Sequence, residues 1–85
     1  MNGVEEKIIE ILEELGATKV ENVGQSLKED LGINSLKTVM MIVAIEERFE
    51  IELAEADLNP ALFTTVGTVV NLVERYLKAK EDENK

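Results

Sequence analysis

The sequence predicts an all-α fold, and three observations carry that prediction. Apolar residues recur at helical spacing in three separate stretches, and residues that start or stop helices stand at their ends: Gly16, Asn34 and Thr64 or Thr65. With one proline, 45% hydrophobic and 32% charged residues, the 85-residue chain is long enough for one compact core and too short for two. A single domain over residues 1–85 is expected.

The first helix is expected over residues 4–15, where Val4, Ile8, Ile11, Leu12 and Leu15 share a face and Gly16 follows as a C-terminal cap. Its other face carries Glu5, Glu6, Glu10, Glu13 and Glu14, most simply a solvated surface; Ile9 fits neither face. The connection that follows, residues 17–34, is long enough to suggest a functional loop. Val20, Val23, Leu27 and Leu31 are spaced to pin it to a core.

The second helix should run from about Ser35 to Phe49, with Asn34 as N-cap because its side chain can accept from first-turn amides. Residues 50–53 then turn away. A short third helix is expected within residues 57–63, where Asn59-Pro60 limits its length or begins it. The last helix starts after Thr64 or Thr65 and buries Val66, Val69, Val70, Val73 and Leu77, with Tyr76 beside them. Gly67 weakens it locally, and the charged tail from about residue 79 is expected to fray.

Composition excludes several functions. Lys and Arg number 9 against 18 Asp and Glu, and the net charge of −9 repels nucleic-acid phosphates and anionic lipid surfaces alike. The expected partners are proteins with basic docking patches, not nucleic acid or membrane. No cysteine or histidine is present, which removes disulfides, zinc sites, thiolate nucleophiles and every Ser-His or Cys-His arrangement. The start, MNGVEEKIIE, lacks the basic and apolar segments of a secretion signal, so the chain reads as cytoplasmic. No stretch has the alternating oxygen ligands and central glycine of an EF-hand loop, and nothing places two carboxylates in an apolar cleft. Neither a bound metal nor enzymatic activity is expected.

The second helix holds more apolar residues than one buried face requires. Spacing puts Thr38, Met41, Ile42, Ile45 and Phe49 on the core stripe and leaves Leu36, Val39, Met40 and Val43 on a neighbouring one. A central helix packed on two sides, or a homodimer seam, accounts for this without any special function. The sharper reading is a recognition patch in an acidic surround, where methionine adapts to several partners. Ser35 opens the same helix. A serine there is ordinarily a cap or a solvated first-turn residue. A phosphate ester on it would nevertheless sit at the positive end of the helix dipole, among free amides. With no activating base present, another enzyme would have to place it.

Residues 29–53, EDLGINSLKTVMMIVAIEERFEIEL, resemble the signature of acyl carrier proteins and the related peptidyl carrier domains. The matching parts are Glu29-Asp30-Leu31-Gly32, the triplet Asn34-Ser35-Leu36, Glu46-Glu47, and Phe49-Glu50-Ile51-Glu52; residues 63–73, FTTVGTVVNLV, are similar to the family's opening of its last helix. The resemblance implies a four-helix bundle with a long first loop, three longer helices and a short third one. It implies that Ser35 receives a 4′-phosphopantetheine arm from coenzyme A through a separate, magnesium-dependent phosphopantetheinyl transferase.

On that resemblance, the arm's thiol carries acyl or aminoacyl groups as thioesters. A loading enzyme supplies them, and synthase or transferase enzymes of a fatty-acid, polyketide, nonribosomal peptide or other specialised pathway use them. Leu36, Val39 and Val43 match positions that flank the arm and meet partner enzymes; Asn34, Met40, Glu46 and Glu47 complete the expected docking set on a chain expected to be a monomer. Asn34 stands where the family usually has Asp, and Lys37 and Met40 where carriers of general fatty-acid synthesis show acidic residues, which points to a specialised pathway. The alternative reading is an unmodified, carrier-like module that docks through the second helix.

Overall fold

Three α-helices close around one apolar core: α1 (Gly3–Gly16), α2 (Ser35–Phe49) and α3 (Val66–Glu83). The structure is a computed structural model and describes residues 3–16 and 18–83. Among the described residues there is no strand, and a lone antiparallel bridge joins Ser26 to Thr65. The fold is all-α, with α1 packed against both α2 and α3.

Each helix buries the centre of the stripe that its spacing selects, while Val4, Leu15, Thr38, Ile42 and Leu77 at the stripe edges are half-buried. α1 buries Ile8, Ile11 and Leu12, with Val4, Ile9 and Leu15 packed at the edge of the core. α2 contributes Met41, Ile45 and Phe49. α3 contributes Val66, Val69, Val70 and Val73 as expected, and Leu72 in addition. Each aliphatic side chain taken out of water stabilises the fold by roughly 1.5–3 kcal/mol before entropy is counted. No polar side chain among the described residues is buried with them, so the core that joins the three helices is apolar throughout.

Thr65 rather than Thr64 starts α3. Its hydroxyl accepts from the Thr68 amide at 3.2 Å, while the Thr68 hydroxyl accepts from the Thr65 amide at 3.1 Å. Two first-turn donors are thereby satisfied reciprocally, as in a capping box with threonine in place of the acid. At the other end the charged segment from residue 79 continues as helix to Glu83. Lys80 Nζ donates to the Glu50 carbonyl at 2.8 Å, placing a cation at the C-terminal end of α2.

The long loop is pinned at Val20, Leu27 and Leu31, all buried. Val23 departs from the expectation: it is 41% exposed, and it contributes its carbonyl instead, accepting from Gly67 N–H at 2.8 Å. Ile33, which the spacing does not single out, is buried in the core. Backbone bonds from Leu27 N–H to the Thr64 carbonyl (3.0 Å) and from Val66 N–H to the Gln25 carbonyl (3.2 Å) tie the loop to the start of α3. Gly16, expected as a cap beyond the first helix, is its last residue. A Cβ there would lie 2.6 Å from the Leu31 carbonyl oxygen, so the missing side chain lets the loop rest on the end of α1.

Where a short third helix is expected, the chain forms two 3-10 turns, Glu55–Asp57 and Pro60–Phe63. The cause is local. A residue before proline is pushed towards extended backbone, and Asn59 has φ −114° and ψ 127°, interrupting any continuous helix. Its side chain then accepts from Ala61 N–H at 2.9 Å and starts the second turn, with Pro60 in the first position. Among the described residues the expected bundle of four helices is therefore three α-helices, with a segment of tight turns between α2 and α3.

Candidate functional site

The approach to α2 is set by a buried-glycine-buried sequence. Leu31 and Ile33 are both in the core, and Gly32 between them adopts φ +67°, a left-handed conformation that glycine takes at no steric cost. Ile33 N–H donates to the Leu27 carbonyl at 2.7 Å, which fixes the turn. Asn34 then caps the helix. Its Oδ1 accepts from Lys37 N–H at 2.9 Å, and its carbonyl accepts from Thr38 N–H at 2.8 Å and from the Thr38 hydroxyl at 2.9 Å.

Ser35 is the first residue of α2 and is exposed. Its hydroxyl makes no hydrogen bond to the described residues, and the Ser35 and Leu36 amides have no intrahelical acceptor because they lie in the first turn. An anionic group on the Ser35 oxygen would thus meet two free N–H donors and the positive end of a 15-residue helix. The serine also lines an open cleft of about 860 Å³. Thr38 and Ile42 of α2 form one side of it, Leu58, Pro60 and Phe63 the opposite side, and Ser26, Lys28 and Glu29 its loop edge.

The two stripes of α2 separate as the spacing predicts. Met41, Ile45 and Phe49 face the core, and Thr38 and Ile42 are half-buried beside the cleft. Leu36, Val39, Met40 and Val43 remain 69%, 58%, 48% and 48% exposed, a large apolar share for one helix face. Met40→Glu is accordingly expected to change unfolding free energy by no more than about 0.5 kcal/mol in urea titration. A cost of several kcal/mol would place Met40 in the core.

The two glutamates of the expected docking set differ. Glu47 is exposed beside a shallow groove with Ile11, Leu15 and Ala44. Glu46 is half-buried, and its Oε2 accepts from Leu53 N–H at 2.9 Å across the left-handed turn at Glu50 (φ 54°). Helical spacing could not show this engagement, because the partner amide lies beyond the helix.

A second polar constellation escaped the sequence reading. The Tyr76 hydroxyl donates to Asp57 Oδ2 and accepts from Ala54 N–H at 2.8 Å, and Arg75 Nη2 stands 3.5 Å from Asp57 Oδ1. The hydrogen bond to Asp57 is the main cause that holds the Tyr76 pKa above its ordinary value near 10, with burial adding to it and the Ala54 amide and Arg75 opposing. A raised phenol pKa contributes stability that is complete below pH ~10 and is lost as pH rises through the raised value. Tyr76 is the single tyrosine of a chain without tryptophan, so phenolate absorbance reports it alone. Its midpoint is expected to lie above that of the same chain in denaturant; equal midpoints would remove the Asp57 bond.

Comparison with known proteins identifies the class. Residues 6–77 match the family described as phosphopantetheine attachment site. The chain belongs to this family of carrier proteins, which hold a covalently attached 4′-phosphopantetheine. The residues present suit such a group: a free hydroxyl, two unpaired amides beside it, and a cleft on the same side. Carrier domains interact with transferases and synthase enzymes. No helix among the described residues is long and apolar enough to cross a membrane.

Proposed function

We propose that Ser35 is the attachment residue and that the chain acts as a single carrier domain over residues 1–85, presenting acyl or aminoacyl groups to the enzymes of a specialised biosynthetic pathway. One observation carries the reading: the exposed Ser35 hydroxyl, free of internal bonds, stands at the N-terminus of a long helix and on the edge of a cleft. When bound, the arm supplies a terminal thiol that holds such groups as thioesters, chemistry that a chain without cysteine lacks. In the transfer Ser35 Oγ would form the ester bond to phosphorus as the pyrophosphate bond of coenzyme A breaks and adenosine 3′,5′-bisphosphate leaves. The hydroxyl proton must go to a base of the transferase, since no side chain of the described residues accepts from it. The Ser35 and Leu36 amides and the helix dipole then stabilise the phosphate's charge.

Leu36, Val39, Met40 and Val43 form the apolar part of the partner-facing surface, with Asn34 and Glu47 at its polar edge. Glu46 contributes mainly by fixing the turn after α2, which keeps the helix end in place. The chain itself transforms nothing in this reading: it holds the substrate for others. We place it in the cytoplasm, as a monomer. The test is intact-protein mass spectrometry after incubation with coenzyme A, magnesium and a broad-specificity phosphopantetheinyl transferase. Gain of one phosphopantetheinyl group on Ser35 is expected; attachment at another residue would overturn the assignment.

A further inference from the structure

We propose that Tyr76 is a positioning residue for the carrier site: its hydroxyl clasps the turn at residues 54–57, holds the far wall of the Ser35 cleft in place, and so sets how long an acyl group that cleft accepts. The inference rests on Ser35 being the attachment residue. Its starting point is an imbalance in how the cleft is built. The near wall belongs to α2, whose inner face is anchored in the core through Met41 and Ile45. The second turn of the far wall, which carries Pro60 and Phe63, packs against α3, but the first turn and Leu58 have no such anchor. No residue of the two 3-10 turns is fully buried, and Leu58 is 46% exposed. Apolar burial therefore does little to hold residues 54–58, whereas Leu62 and Phe63 are half-buried beyond them.

Polar contacts do the holding instead. A single hydroxyl accepts from the amide of Ala54, which precedes the first turn, and donates to the carboxylate of Asp57, which ends it. The turn is thus closed from outside onto α3, while Asp57 N–H to the Ala54 carbonyl (2.9 Å) and Leu58 N–H to the Glu55 carbonyl (3.1 Å) close it from within. Leu58, the next residue along, lines the cleft. Segments with few buried contacts open locally at low cost, so a clasp of this kind decides how often the wall is in place.

The experiment compares the parent with Tyr76→Phe, which keeps the ring and removes both bonds of the hydroxyl. Each is loaded from acetyl- or octanoyl-coenzyme A by the broad-specificity transferase, loading is checked by intact mass, and melting temperature and amide exchange are measured. In the parent, the octanoyl form is expected to melt higher than the acetyl form. In Tyr76→Phe that difference should shrink by more than about half, with amide exchange at Asp57 and Leu58 faster by about tenfold. Asp57→Ala, which removes the acceptor, is expected to behave likewise. A purely structural tyrosine would lower both forms equally and leave their difference unchanged, which overturns the proposal. No difference between acetyl and octanoyl forms of the parent also overturns it, and leaves Ser35 standing as the attachment residue. Absence of loading on Ser35 would overturn both readings.

Discussion

Ser35→Ala is expected to gain no mass with coenzyme A, magnesium and the transferase, while unfolding at nearly the same denaturant concentration as the parent. The two halves of this result have separate causes. Stability is preserved because Asn34, not Ser35, caps α2 through its bond to Lys37 N–H, and because the serine hydroxyl has no partner among the described residues. A change within about 0.5 kcal/mol follows for an exposed side chain with no such engagement. Loading is abolished because the ester oxygen is gone. The chain has one other serine, Ser26, and it also lines the cleft, so it serves as the internal control. Its hydroxyl accepts from Glu29 N–H at 3.1 Å and its amide donates to Asp30 Oδ2 at 2.8 Å, an engagement that suits a turn rather than an attachment point. Ser26→Ala should load as the parent does. Loading of Ser35→Ala would move the site.

Met41→Ala is expected to have the largest effect on stability, a loss of about 2–5 kcal/mol in urea unfolding. Met41 is fully buried at the middle of α2, in the cluster that α1 and α3 share. Truncation removes the transfer energy of the thioether chain and leaves a cavity that surrounding aliphatic side chains fill only in part. Folded domains are stable by about 5–15 kcal/mol in all, so this is a large fraction, and at roughly 4–8 °C per kcal/mol the melting temperature should fall by about 8 °C or more. The adjacent Met40, about 100° round the helix, should show almost none of this. Equal costs at the two positions would mean that α2 is rotated from the orientation described.

The contrast between those neighbours shows what spacing reveals. Periodicity along the chain separates the two stripes of α2, places α1 and α3, and puts Asn34 at the cap, because each of these depends on residues within one or two turns of each other. Ile33 and Leu72 were missed for the converse reason. Their burial is decided by the path of the loop and by neighbours on other helices, which no local period encodes. Val23 fits the loop's apolar spacing but sits on a turn whose carbonyl, not side chain, makes the contact. The third helix was overestimated because the Asn59-Pro60 pair splits the segment into two turns. Of the proposed site, the position of Ser35 at the start of α2 and its Asn34 cap could be read from a short motif. The engagement of Glu46 by Leu53 and the Tyr76 clasp could not, since each joins residues that tertiary folding brings together.

Taken as the partner-facing surface proposed above, the exposed stripe on α2 also bears on time. From Leu36 to Val43 it runs about 10 Å along the helix axis, a patch suited to contacts at the small end of specific interfaces. Contacts of that size dissociate readily, while the net charge of −9 speeds the approach of basic partners. The combination favours many short visits over one long residence. A molecule that must be released by one enzyme before the next can receive it gains throughput from loose grip, so a more adhesive helix would bind each partner better and slow the relay as a whole.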